Sequence, residues 1–283
     1  MSTFSFPIPF RDLIADALPI ETSTHGKIPE STHIYLPLSH AKALHPNNML
    51  VEGIRGSGKS FWWAALQDKA CRAMIGKQVG LSGQTIISVG FGETPKPNDY
   101  PGKDTLENLL KQNIEPRRIW QMLVFKHIAG QAAPEPFLKL DNWLARVTWV
   151  LNNPEPVEQI LFEIDNRLDA QNNYHLVLFD ALDRTADQWT NLHALVRGLL
   201  QVMLDFRPYK RLRLKVFARP DQLDDPSIKA FPDSSKILNQ KLGLDWSRRD
   251  LYGLLWQYLA NDPAAGATFR DASHGRNRVS GGW

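Results

Sequence analysis

Apolar positions along the chain fall into short continuous runs set among longer stretches of helical spacing. Residues 49–51, 85–89 ("TIISV"), 176–179 and 212–218 ("LRLKVFA") are the β-like runs. Between the last two, Trp189, Leu192, Leu195, Val196, Leu199 and Leu200 recur three and four apart, as on a helix with one buried face. Strands alternating with helices predict βαβ crossovers and a largely parallel sheet, an α/β fold.

The section between the second and third runs is long and helical throughout. "PRRIWQMLVFKHIAG", "PFLKLDNWLARVTWVL" and "PVEQILFEIDNRL" each repeat apolar residues at helical spacing, with Pro116, Pro136 and Pro156 near their starts. Proline is tolerated there because the first helical N–H has no partner in the helix. This predicts a helical insertion or elaboration over about 104–172, with Trp120, Trp143 and Trp149 as core. The strip "GETPKPNDYPGKD", 92–104, is a loop by its composition. The expected organisation is a linker over 1–46, one α/β core over 47–260, and a polar, glycine-rich, flexible tail over 261–283.

Composition narrows the class. In 283 residues, 43% are apolar and 22% charged, which is ordinary globular usage with enough chain for one large core. A net charge of +3 does not by itself call for nucleic acid. The single cysteine, Cys71, excludes an internal disulfide framework and fits a reducing cytosol. No apolar run approaches the roughly 20 residues that span a bilayer. The start, "MSTFSFPIPFRDLIADALPIE", has no basic region and carries acids, unlike a signal peptide. A cytoplasmic protein with no membrane partner is expected.

The sharpest chemical signal follows the first run. In "LVEGIRGSGKSFWWAAL", Gly53, Gly58, Lys59 and Ser60 satisfy G-x-x-x-x-G-K-[ST] between an apolar strand and a helix. Glycines let the backbone turn tightly around a phosphate, while loop N–H groups and the helix dipole face the anion. Gly53, Arg55, Gly56, Ser57, Gly58, Lys59, Ser60 and Phe61 form the expected cradle. Lys59 would reach the β- and γ-phosphates, and the Ser60 hydroxyl would ligate Mg²⁺.

A second strand should end in an acid near Ser60, and "HLVLFDALDR" offers Asp180. The next position, where many ATPases carry a water-orienting glutamate, is Ala181. Asp183 is the next acid along, placed to swing toward a γ-phosphate, to cap a helix or to pair with Arg184.

Together "GIRGSGKS", "LVLFDALDR" and "LKVFARPD" resemble the motifs of STAND-class and KAP-type P-loop ATPases over about residues 36–258. The resemblance implies a P-loop NTPase three-layer sandwich in which the Arg219 strand lies between the strands of the glycine loop and of Asp180. It implies that Asp180 coordinates magnesium, that Asp183 stands in for the water-orienting acid, and that Arg219 contacts the γ-phosphate. Ala218 departs from the small hydroxyl residue usual in that motif. "KLGLDWSRRDLYGLLWQYLAND" is similar to the end of the ATPase core, with a Ser247–Asp250 capping box and an apolar face of Leu251, Leu254, Leu255, Tyr258 and Leu259. STAND proteins normally continue into a lid and repeats. Either this chain is a fragment, or a partner supplies those parts.

The functional expectation is an ATP-hydrolysing switch or assembly module, slow in isolation, with ATP and Mg²⁺ as cofactors and a homo-oligomer or partner protein as output. The family resemblance also implies settings such as bacterial antiviral defence. No Asn-Lys-x-Asp element occurs, which favours ATP over GTP, and Tyr35 and Pro37 are candidates to meet the adenine. A nucleic-acid-stimulated motor or clamp is the alternative, with "RPYKRLRLK" (207–215) as its grip.

Overall fold

A computed structural model describes residues 8–18 and 27–274. Five strands lie side by side: β1 (Leu50–Glu52), β2 (Ile86–Phe91), β3 (His175–Phe179), β4 (Leu212–Ala218) and β5 (Leu242–Gly243). Their order is β2-β3-β4-β1-β5, and every neighbouring pair is parallel. The strand leading to Arg219 therefore lies between the strands leading to the glycine loop and to Asp180. Strand β2 runs on past Val89 to Phe91, further than the apolar run predicts. The Phe179 ring covers Gly90 so closely that a Cβ there would come within 2.4 Å of it.

Alternation along β3 divides the core in two. Leu176 and Leu178 join Val51 and Phe217 on one face, whereas Val177 and Phe179 join Leu50, Leu214 and Val216 on the other. All five β3 residues are buried, each large aliphatic worth about 1.5–3 kcal/mol relative to an exposed one. The helices Leu38–Leu44, Lys59–Gln67 and Lys69–Val79 cover the first face, and Pro116–Ala129 and Trp189–Phe206 cover the second. The result is a helix–sheet–helix sandwich.

Several expectations change in three dimensions. The helical section is no appendage: Trp120 is fully buried, its indole N–H donates to the Leu195 carbonyl at 2.8 Å, and its helix forms a layer of the sandwich. Trp143 and Trp149 are only partly buried at the rim of that core. The helix after the glycine loop stops at Gln67, and Asp68 starts a new one by accepting the Cys71 N–H at 2.8 Å. The expected linker holds the helices Ile8–Ala17 and Leu38–Leu44, the latter with His40, Ala41, Ala43 and Leu44 buried. The expected flexible tail forms the helix Gly266–His274, whose Phe269 packs with Leu259 and Ala265. Residues 275–283 lie outside the described residues. On the helix Arg248–Asn261, Leu251 and Leu255 face solvent, because the helix packs by another side, with Gly253 against Tyr35 and Tyr258 stacked on His33.

The basic run serves the fold. Lys210 and Arg211 both pair with Asp169 at 2.9 Å, Arg211 also lies over the Tyr174 ring, and Arg213 donates to Asn47. Lys215 is fully buried beside Phe217 and donates to the carbonyls of Ala43 (2.9 Å), His45 (2.7 Å) and Asn48. Burial pushes its pKa well below the usual lysine range. Three carbonyl oxygens match the three donors of an ammonium group, so they act in the opposite direction.

Two buried histidines make stability depend on pH. Trp62 Nε1 donates to His40 Nδ1 at 2.9 Å, and His175 Nε2 meets the Ser88 hydroxyl at 2.8 Å. Burial lowers the pKa of each from 6.5 to about 4. The unfolded chain thus binds more protons between those values. Stability is complete above pH 6.5 and falls toward pH 4, by about 1.4 kcal/mol per histidine for each unit. Urea midpoints at pH 7.5 and 5.5 check this, and equal midpoints would refute it. Among the described residues, no helix is long and apolar enough to cross a membrane.

Candidate functional site

The C-terminal ends of β1, β3 and β4 converge on one patch. After Glu52 the chain turns through the glycine loop into the helix Lys59–Gln67. Gly56 and Gly58 have φ of +84° and +102°, a region that glycine enters at little cost. Gly58 is the N-cap, so the first N–H groups of the helix open onto the loop. Lys59 Nζ donates to the carbonyls of Gly53 (2.7 Å) and Ile54 (2.8 Å). Partial burial lowers its pKa, while the charge of Asp180 acts against that shift. Trp246 Nε1 donates to the Ser57 carbonyl at 3.0 Å, tying the loop to the chain just before the Arg248–Asn261 helix. Arg55 is exposed, Ser57 is buried, and Phe61 packs edge-on against Trp62.

Asp180, only 3% exposed, stands where β3 ends. Burial raises its pKa, opposed by hydrogen bonds from the Ser60 hydroxyl and the Ala181 N–H and by the charge of Lys59. Ala181 then takes φ 54° and ψ 41°, a left-handed conformation costly for a residue with a Cβ, and leads into a short 3-10 turn, Leu182–Arg184.

Arginines and acids interlock around this patch. Arg219, directly after β4, grips Asp221 with two donors at 3.0 and 2.6 Å and lies 3.6 Å from Asp183. Hydrogen bonding to Asp221 raises the Arg219 pKa and lowers that of Asp221. Asp183 thus pairs with Arg219, not with Arg184. Arg184 instead holds Glu93, just beyond β2, at 2.5 Å. Lys59 feels the charges of Asp180, Arg219, Asp183 and Asp221 together.

Lys59, Ser60, Asp180, Asp183 and Arg219, predicted from separate stretches, therefore share one site. Asp221 and Glu93 were missed. Asp221 was visible as the acid ending "ARPD", and Glu93 as the only acid within two residues of the β2 end. Tyr35, expected near a base, stacks with Trp246 (centroids 6.4 Å apart) and donates to Asp250. Arg117, whose position the sequence left open, pairs with Asp205 at 2.8 Å. Chemically, the site offers helix and loop N–H groups, an ammonium, a hydroxyl, a buried carboxylate and a guanidinium. That set suits a polyphosphate with a divalent cation. Comparison of the chain with models of protein families, with curated proteins and with solved structures gives no match.

Proposed function

We propose that the protein is a Mg²⁺-dependent P-loop ATPase of the STAND-like kind, acting as a nucleotide-controlled switch or assembly module. The observation that carries this is the meeting of the glycine loop with Asp180, which is buried at the end of β3 and whose charge acts on Lys59. The residues fit the missing groups. The loop and helix N–H groups from Gly53 to Phe61 would hold the phosphates, Lys59 would meet the β- and γ-oxygens, and Ser60 with Asp180 would hold Mg²⁺. When bound, Mg²⁺ neutralises charge on the phosphate oxygens. Asp180 is poised for this role: a buried carboxylate next to a hydroxyl favours a cation that restores its solvation.

Turnover in the isolated chain is slow on this reading, well under the roughly 10 s⁻¹ typical of enzymes. Arg219 is held by Asp221 and Asp183, and must exchange those carboxylates for phosphate before it can stabilise a transition state. Self-assembly or a partner would favour the exchange. The basic run lends little to the nucleic-acid alternative, because its charges at Lys210, Arg211 and Lys215 are occupied by Asp169 and by backbone carbonyls.

Asp180→Asn tests the assignment. Binding of labelled ATP should become at least tenfold weaker in Mg²⁺ and change little in EDTA. Equal Mg²⁺-dependent affinity in variant and wild type would remove Asp180 from the metal site.

A further inference from the structure

We propose that Glu93, supplied by the neighbouring strand, holds the attacking water in place of the residue missing after Asp180. This rests on the ATPase reading above. The Asp180 N–H donates to the Phe91 carbonyl at 3.1 Å, so the segment from Phe91 to Glu93 runs beside Asp180 and Ala181. In the β2–β3 register the last pair is Phe91 with Phe179, so the chain toward Glu93 leaves the sheet beside the chain toward Asp180 and Ala181. The side chain at Ala181 is only a methyl group, on a left-handed turn, whereas Glu93, two residues beyond the end of β2, carries a carboxylate held by Arg184.

The approach to the glycine-loop helix is equally close. Gly92 lies against Trp63, one turn beyond Ser60, and a Cβ there would fall 2.3 Å from the indole ring. Trp63 Nε1 is buried and has no hydrogen-bond partner, so an unused donor lies beside the backbone that carries Glu93. Arg184 sets the carboxylate from the other side at 2.5 Å. Asp183, by contrast, is about half exposed and faces Arg219, where it serves as a counter-ion.

The step balances without further reagents. The water oxygen bonds to the γ-phosphorus as the bridging oxygen–phosphorus bond breaks, and that electron pair stays with ADP. The water proton passes to the Glu93 carboxylate and from there to solvent, regenerating the carboxylate.

Single-turnover hydrolysis with enzyme in excess, alongside ATP binding, tests the proposal in Glu93→Gln, Glu93→Asp and Asp183→Asn. Glu93→Gln should bind ATP within about twofold of wild type yet hydrolyse at least 100-fold more slowly, within the range for a lost general base. Glu93→Asp, which keeps a carboxylate, should lie between the two even if the glutamine variant folds poorly. Asp183→Asn, which removes a counter-ion of Arg219, should slow hydrolysis by less than a tenth of the factor seen in Glu93→Gln. Wild-type hydrolysis by Glu93→Gln, equal losses in Glu93→Gln and Glu93→Asp, or the large loss in Asp183→Asn would each overturn the assignment. Those results would leave nucleotide binding intact. A wild-type chain that binds no ATP would instead overturn the ATPase reading, and this inference with it.

Discussion

Lys59→Ala is expected to lower ATP affinity or turnover at least tenfold, about 1.4 kcal/mol or more. The effect follows from where the ammonium sits. It is partly buried, held over the loop by the carbonyls of Gly53 and Ile54, and surrounded by the charges of Asp180, Asp183, Asp221 and Arg219. It is the side-chain cation at the start of the loop's own helix, where the Ser60 hydroxyl and backbone N–H groups are the other donors. A phosphate entering the cradle would exchange neutral carbonyl partners for charged oxygens, and charge-assisted bonds are roughly twice as strong as neutral ones. Titration of labelled ATP with Mg²⁺ into the folded variant and wild type measures the loss. Equal affinity together with equal turnover would show that the loop does not hold a nucleotide.

Lys215→Met should cost stability instead, on the order of 3–5 kcal/mol for three carbonyls left without their donor, without touching the nucleotide patch directly. Methionine fills similar space but strips the Ala43, His45 and Asn48 carbonyls of their shared donor. A buried acceptor left unpaired costs about 1–3 kcal/mol. For a chain of this size the melting temperature should fall by roughly 6–15 °C. Thermal unfolding followed by circular dichroism decides it. A shift under about 2 °C would mean that the ammonium contributes nothing net and the turn before β1 is held by other contacts.

The parts of the fold that could be read from sequence are those whose signal is local. The run 176–179 is apolar at every position because both faces of β3 are buried, and the glycine loop carries its own conformational requirement at Gly56 and Gly58. Trp189–Phe206 shows its one buried face in its spacing. What escaped depends on partners far along the chain. Lys215 looks like one more cation in a basic run, since the backbone carbonyls that receive it have no residue signature. Leu251 and Leu255 have the spacing of a buried face, yet both are exposed among the described residues. Within the site, the cluster of Lys59, Asp180 and Arg219 was legible because Asp180 and Arg219 each follow a strand directly and Lys59 closes the patterned glycine loop. The pairing of acids was not: whether Arg219 meets Asp183 or Asp221, and Arg184 meets Glu93, is decided by loop geometry beyond the strands.

The sheet order carries a consequence for how the chain comes to exist in the cell. Strand β1, which launches the glycine loop, has only β4 and β5 as neighbours, and both follow most of the chain later. Such non-local pairings form slowly because a long loop must close before they repay its entropy. During synthesis, residues 50–60 emerge early and must wait, unpaired, until residues 212–218 have left the ribosome. The glycine loop is therefore shaped only once β4 and β5 have been made, and a ligand that binds it reports on a chain complete through its sheet. Nascent or truncated chains lacking β4 should be unable to compete for that ligand, a built-in guard against half-made copies.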